Sequence, residues 1–248
     1  QVAGLDRGHA AASIIANPAP EAGAAASSHQ QLHEIIASPN PDAGRAPSPH
    51  QQLHEIVGGS FANVSLTAYT DLVASMRKAL KNEVREGGSA DLVIERQVYI
   101  KLAQMTNVKR ICEIGFNAGG SAAIWLKANP TANVLMFDLW KHPYAAEAEQ
   151  FLRDPSKVAG YGLVDVDRRL TIVKGSSLET VPEFALHHPD VKCDLLSVDG
   201  GHSYEVALQD IRNMMSLASL EFNVLVIDDT NCQASYCVDK AVRAHMEL

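Results

Sequence analysis

The chain has 248 residues, 46% of them apolar, with 21 Lys and Arg against 29 Asp and Glu, a formal net charge of −8. That is enough apolar chain for one α/β domain with an extension, and the acidic balance excludes a nucleic-acid groove. No apolar run approaches the ~20 residues of a membrane span, and no charged start followed by an apolar stretch marks a secretion signal. With Gln rather than Met at position 1 targeting stays open, and the cytoplasm is the expected compartment.

Residues 1 to about 60 differ in kind from the rest. They are rich in Ala, Pro, Ser and His, and they repeat: His29-Gln30-Gln31-Leu32-His33-Glu34-Ile35 recurs as His50-Gln51-Gln52-Leu53-His54-Glu55-Ile56. Pro18, Pro20, Ala22 and Gly23 map in the same way onto Pro39, Pro41, Ala43 and Gly44, and Ile14 and Ile15 onto Ile35 and Ile36. Each unit is a short amphipathic turn and a Pro-rich spacer, and helices under ~12 residues are marginal in water. A mostly disordered tail is expected. The sharper readings are an arm that makes a homo-oligomer, or a metal tail built on His29/His33 and His50/His54, four residues apart but without a rigid scaffold. The folded domain then spans 61–248.

From Ala62 to Val84, Leu66, Tyr69, Leu72, Val73, Met76 and Leu80 make the stripe of an amphipathic helix, closed by Gly87 and Gly88. Ser89 can cap a second helix reaching Met105. The organising stretch follows, Arg110 to Ser121. A β-prone run (Ile111, Cys112, Ile114) breaks at Gly115, passes a turn of small residues and restarts as a helix at Gly119, Gly120 and Ser121. Such a turn lets backbone N–H groups approach a ligand, and the helix start adds partial positive charge. Glu113 is placed to point over that ligand. Asn117 fills the place where a dinucleotide fingerprint has its second glycine, so a pyrophosphate fits poorly and an ammonium or sulfonium fits better.

A second strand, Asn133–Phe137, ends in Asp138, at the tip where a carboxylate can accept from both ribose hydroxyls. Trp140, Pro143 and Tyr144 follow in a loop that can wall an adenine or a substrate. A helix near Ala145–Arg153 leads to a third strand, Leu170–Val173, then to Gly175, Ser176 and Ser177 and a helix near Leu178–His187. A fourth strand runs from Asp194 to Asp199, and Gly200-Gly201-His202-Ser203-Tyr204 turns into the next helix. The fifth strand, Asn223–Ile227, ends in Asp228 and Asp229. In a parallel α/β sheet the carboxyl ends of neighbouring strands, about 4.8 Å apart, open on one crevice. Asp199, Asp228 and Asp229 therefore converge, and three carboxylates brought together call for a hard divalent ion, of which Mg²⁺ suits oxygen ligands best. Cys112 and Cys193 lie inside core strands and read as free, small apolar residues; Cys232 and Cys237 lack zinc-site spacing, and a reducing compartment is expected.

Glu113-Ile114-Gly115-Phe116-Asn117-Ala118-Gly119-Gly120-Ser121 resembles the first motif of the class I S-adenosylmethionine-dependent methyltransferases, in the variant of the metal-dependent O-methyltransferases. Val198-Asp199-Gly200-Gly201-His202-Ser203-Tyr204 with Val226-Ile227-Asp228-Asp229-Thr230 is similar to the branch holding macrolide-sugar O-methyltransferases and cephalosporin-hydroxylase-like proteins. The resemblance implies a doubly wound, Rossmann-like, mostly parallel sheet. It implies a cofactor site of Glu113, Gly115, Phe116, Asn117, Gly119, Ser121, Asp138, Ser176, Ser177 and Asp199. It also implies a divalent metal on Asp199, Asp228 and Asp229, with Asp228 standing where the branch often has Glu, and His202 as general base. The implied reaction moves a methyl group from S-adenosylmethionine to a hydroxyl oxygen of a small diol-bearing acceptor, with no nucleic-acid or membrane partner. Competing readings are a hydroxylase on the same scaffold and a non-catalytic adenosine-binding module. The resemblance covers roughly Leu66 to Leu248. That branch adds a sixth and an antiparallel seventh strand after the helix near Ala234–Met246. Either the domain is incomplete there or the sheet stops at five strands, which leaves the fifth as an exposed edge.

Overall fold

A computed structural model describes residues 3–6, 11–17, 65–81, 93–230 and 238–247. The repeat units at 29–35 and 50–56, the Ser89 cap, Cys232 and Cys237 lie outside them. The described chain runs β1 (Ala3–Asp6), β2 (Ala11–Asn17), α1 (Thr67–Ala79), α2 (Val93–Ala103), β3 (Arg110–Ile114), α3 (Gly120–Ala128), β4 (Asn133–Asp138), α4 (Pro143–Arg153), β5 (Leu170–Lys174), α5 (Ser177–His187), β6 (Leu195–Val198), α6 (Tyr204–Met215), β7 (Asn223–Ile227) and α7 (Val238–Met246), with short helical turns between α4 and β5. Every strand and every helix expected between 61 and 248 is present, with ends shifted by a few residues.

The strands lie in one sheet in the order β1-β2-β7-β6-β3-β4-β5. From β7 to β5 all neighbours are parallel. The alternation of each strand sorts the core into two layers. Ile111, Val134, Met136, Leu195, Val224 and Val226 pack with α1 to α4, while Cys112, Ile114, Leu135, Phe137, Leu196, Val198, Leu225 and Ile227 pack with α5 to α7. This is the doubly wound sheet that the sequence implies.

Two expectations are corrected. The fifth parallel strand is not an exposed edge: β2 pairs antiparallel with β7, Ile14 opposite Val226 and Ile15 opposite Leu225, and β1 pairs antiparallel with β2. Residues 3–6 and 11–17, read from sequence as tail, are thus sheet. Low-complexity flanks hid a run, Ala11 to Asn17, whose two central Ile residues are strong β-formers. Cys112 and Cys193 are not free thiols. They form a disulfide, Cα to Cα 5.9 Å, joining β3 to the lead-in of β6 on the α5–α7 side. Strand pairing across the sheet brings together two residues that sequence reading treats separately. No helix among the described residues is long and apolar enough to cross a membrane.

Candidate active site

The site is built at the carboxyl ends of β4, β3, β6 and β7. β3 leaves the sheet at Gly115, whose φ of 107° belongs to glycine, and a Cβ there would stand 2.0 Å from the Asp199 carbonyl oxygen. The turn after β3 is therefore pressed against the tip of β6. Asn117 takes φ 48° and Gly119 φ 73° before α3 begins. Asp138, at the tip of β4, braces this turn: its Oδ2 accepts from the amides of Phe116 (2.9 Å) and Asn117 (2.8 Å), and its Oδ1 from Trp140 (2.6 Å). Trp140 stands 5.8 Å from the Phe116 ring, with Lys174 Nζ 3.9 Å from its own ring centroid. Trp140 is one of the loop residues that sequence reading offered as a wall for an adenine or a substrate.

Glu113 differs from its expected orientation. It shares the strand face of Ile111 and is wholly buried. Its Oε2 accepts from Ser121 Oγ (2.7 Å) and Trp125 Nε1 (3.0 Å), its Oε1 from Ser197 Oγ (2.9 Å). Alternation along β3 turns it into the protein, where it ties β3 to α3 and β6; burial pushes its carboxyl up to about 7 against those three donors. Ser121, expected to face the cofactor, is one of these partners. Ser177, expected near the adenine, donates to Asp210 (2.7 Å) on α6, and Ser176 precedes it at the N-terminus of α5.

The acid tips converge as the topology predicts. The Asp199 amide donates to the Ile114 carbonyl (3.0 Å) and the Asp228 amide to the Val198 carbonyl (3.0 Å), so both acids continue their strands in register. Ligand atoms of Asp199, His202 and Asp229 lie within 4.8 Å of one another, and His202 Nε2 is 2.8 Å from Asp229 Oδ2. Asp229 reaches this position through a left-handed backbone, φ 54°. Asp228 has two further partners: its Oδ1 accepts from the Asp229 amide (2.7 Å) and its Oδ2 from the Tyr99 hydroxyl (3.4 Å). The sequence grouped three aspartates; the structure brings ligand atoms of Asp199, Asp229 and His202 together, and Asp228 is the charged neighbour that acts most on Asp199. The carboxylates of Asp199 and Asp229 suit one divalent ion, with the His202 imidazole beside them and the remaining positions left to water or substrate oxygens.

Burial, then mutual repulsion, sets the electrostatics. Asp199 is held well above the usual carboxylate range by burial and then by Asp228, Glu113 and Asp229. Asp228 is pushed up to about 6 by burial, against the Asp229 amide. Sequence reading missed Glu95 on α2, pushed up to about 9 by burial and then by Asp228, Asp229 and Glu113. It also missed Tyr99, one turn on, which stacks on Trp125 at 4.5 Å. The signal was there: Glu95 falls on the same helical stripe as Val98, Tyr99 and Leu102, an acid where the pattern calls for an apolar residue. Asp210, buried on the core stripe of α6 with Ala207, Ile211 and Met214, follows the same logic.

Residues 112–230, just under half of the chain, match the family described as a methyltransferase domain. No curated protein matches the chain. Among solved structures, an SAH-bound methyltransferase from Podospora anserina aligns with a TM-score of 0.53 at 16% identity, over 83% of this chain and 90% of its own. A cofactor-bound protein from MTB, Rv0187, aligns with a TM-score of 0.51 at 20% identity, over 82% and 85%. The O-methyltransferase TomG from Streptomyces achromogenes, in complex with SAM, aligns with a TM-score of 0.50 at 18% identity, over 75% and 78%. At such identities the likeness speaks for the fold.

Proposed function

We propose that this chain, whose residues 112–230 match a methyltransferase domain, transfers a methyl group from S-adenosylmethionine to a hydroxyl oxygen of a small, diol-bearing acceptor. The observation that carries the reading is the gathering of Asp199, His202 and Asp229 at the tips of adjacent strands, beside a glycine turn braced by Asp138. TomG, of the same fold, is an O-methyltransferase seen with SAM.

In this reading the turn from Gly115 to Gly119 admits the donor and the tip of β4 meets its ribose. Asp138 then exchanges part of its hold on the Phe116 and Asn117 amides for the ribose hydroxyls. Glu113 acts from beneath, fixing β3, α3 and β6 relative to one another rather than touching the donor. Asp199 and Asp229 would hold Mg²⁺, with Asp228 fixing the Asp229 backbone by accepting from its amide. Such an ion would supply Lewis acidity towards the acceptor's hydroxyl oxygens. His202 takes the acceptor proton while the acceptor oxygen bonds the methyl carbon and the sulfonium carbon–sulfur bond breaks. Asp229, paired with the imidazole at 2.8 Å, orients it. Holding oxygen and methyl in line at near-contact distance supplies much of the acceleration.

Calorimetry with S-adenosylmethionine, with and without Mg²⁺, and turnover of labelled donor against catechols, glycosides and macrolides test this reading. Asp229→Ala is expected to cut Mg²⁺-dependent turnover by about 100-fold or more while leaving donor affinity within about threefold. Donor binding with no metal response in affinity or turnover would defeat the metal assignment; no donor binding at all would defeat the whole reading.

A further inference from the structure

The turn after β6 carries His202, and it has almost no room of its own. Neither Gly200 nor Gly201 takes a left-handed φ, so space rather than backbone freedom calls for two glycines here. A Cβ on Gly200 would stand 2.8 Å from Ile114 Cγ2 on β3 and 2.9 Å from Asp210 Oδ2 on α6, and one on Gly201 would stand 2.5 Å from Val206 Cγ1. Non-bonded carbons do not settle that close. The turn is therefore clamped between the end of β3 and a carboxylate on the helix behind it.

That carboxylate stands where packing alone would take an apolar side chain. Asp210 is fully buried on the face of α6 that it shares with Ala207, Ile211 and Met214. Its Oδ1 accepts from the hydroxyl of Ser177 (2.7 Å), the first residue of α5, and one turn further along α6 the Asn213 Nδ2 meets the Ser177 carbonyl (3.5 Å). Its Oδ2 has no hydrogen bond of ordinary geometry and lies against Gly200. Burial pushes the carboxyl up to about 6, against the Ser177 hydroxyl and the Gly201 amide. Both donors that act on it thus belong to segments at the carboxyl edge of the sheet, one opening α5 and the other carrying His202. A buried acid costs stability that an apolar residue would not, and what it supplies in return is a defined position for the groups it meets.

The position matters two residues on. His202 is exposed, yet its Nε2 lies 2.8 Å from Asp229 Oδ2. Packing around the imidazole does not put it there. Its backbone is fixed instead from one side by the clamped glycines and from the other by Ser203, whose hydroxyl accepts from the Val206 amide (3.3 Å) to cap α6. Asp138 braces the glycine turn after β3 in a comparable way, by accepting from two of its amides.

Resting on the methyl-transfer reading, in which His202 is the base, we propose that Asp210 is a positioning residue: it clamps the Gly200–Gly201 turn against Ile114, ties that turn to the first residue of α5, and so holds His202 within reach of Asp229. It touches neither donor nor acceptor and acts through the imidazole.

The ring ¹H–¹³C NMR signals of the histidines in the metal-free full chain, with His202→Gln to assign them, read this placement and need no acceptor. Asp229→Asn keeps the shape and removes the charge facing the imidazole, so it sets a reference displacement of the His202 signals. Asp210→Ala releases the turn and is expected to move them in the same direction by at least about half of that reference, while the signals of His187, at the far end of α5, stay in place. Asp210→Asn, which keeps the volume and one carbonyl oxygen, is expected to bring them most of the way back. Ser177→Ala, at the partly exposed start of α5, is expected to give a smaller displacement of the same sign, and it carries the test should Asp210→Ala not fold. His202 signals that stay at the parent position, or that move together with those of His187, would overturn the inference and leave Asp210 as core structure only. Calorimetry of the parent chain with S-adenosylmethionine decides the other question: no donor binding would remove the methyl-transfer reading, and with it the role of His202 as base, whatever the imidazole signals do.

Discussion

The tips of β3 and β4 and the tips of β6 and β7 lie side by side in one sheet and are built on opposite rules. At the first pair, hydrogen bonds fix shape: Asp138 spends both oxygens on the amides of Phe116, Asn117 and Trp140, and Glu113 spends both on three side-chain donors. At the second pair, repulsion dominates: Asp199 and Asp229 meet with His202, and burial with the charges of Asp228, Glu113 and Asp229 holds the Asp199 carboxyl well above the usual range. A satisfied carboxylate contributes rigidity, whereas crowded, desolvated carboxylates raise one another's pKa and bind cations well. Shape and charge are thus divided between neighbouring strand tips, and each of the following experiments acts on that division.

The largest effect is expected where the two halves touch. Gly115→Ala places a methyl 2.0 Å from the Asp199 carbonyl oxygen at a φ of 107°, so the β3 turn and the β6 tip must separate. We expect a loss of about 3 kcal/mol or more in urea unfolding. Gly160→Ala, with nothing within 4 Å of the added Cβ, should stay within about 0.5 kcal/mol. Equal, small losses in both variants would mean that the two tips are not in contact.

The disulfide comes next. Cys112–Cys193 ties β3 to the start of β6 across 81 residues of sequence, on the sheet face away from the carboxylates. Reduction, or the double change Cys112→Ala and Cys193→Ala, is expected to cost about 2–4 kcal/mol in urea unfolding. Because the link sits beneath both halves, donor affinity and metal response should change together where the protein remains folded. A loss confined to one of them would show that the two tips are held independently.

Much of this was legible in the sequence, and what was missed has specific causes. Hydrophobic runs closed by Gly115, Asp138, Asp199 and Asp228 marked the parallel strands and their tips, because buried parallel strands read as continuous apolar runs. Convergence of Asp199 and Asp229 followed from topology alone. Three things were not legible. Strand pairing unites Cys112 with Cys193, and no local pattern announces it. The inward turn of Glu113 depends on whether the strand face it shares with Ile111 opens on the cleft or on α3. The covering of β7 by β2 joins segments more than 200 positions apart, Ile14 with Val226, through a stretch whose composition reads as tail. Glu95 was legible and passed over, since an acid on an apolar stripe was read as part of a covering helix.

A smaller effect sharpens the contrast at its hinge. Trp125→Phe keeps the ring against Tyr99 but removes the Nε1–H that Glu113 accepts at 3.0 Å. Leaving that buried oxygen to Ser121 alone should cost about 1–2 kcal/mol. The change should reach the acid tips only through Tyr99, whose hydroxyl meets Asp228, so metal affinity should fall no more than about threefold. A larger fall would make the Glu113 network part of the charge-bearing half.

The gentlest test is pH. In the folded chain the carboxyls of Glu95, Glu113 and Asp228 are raised to about 9, about 7 and about 6, from ordinary values of 4.5, 4.5 and 3.8. A raised pKa means that the folded state keeps protons the unfolded chain has released. The stability these groups contribute is therefore present in full below about pH 4 and is lost as pH climbs towards 9. Because the groups interact, they titrate as a set, and the decline should be gradual. In the absence of divalent ions, Tm should fall steadily between pH 5 and pH 9 by differential scanning calorimetry. Glu95→Gln should flatten the upper part of that fall, between pH 7 and 9. Mg²⁺ should oppose it as well, because an ion favours the ionised form of the carboxylates it meets, and its stabilisation should grow with pH. A Tm that rises from pH 5 to 9 would mean that the carboxylates are hydrated and separate, and the acid tips would then have no more claim on a cation than any exposed aspartates.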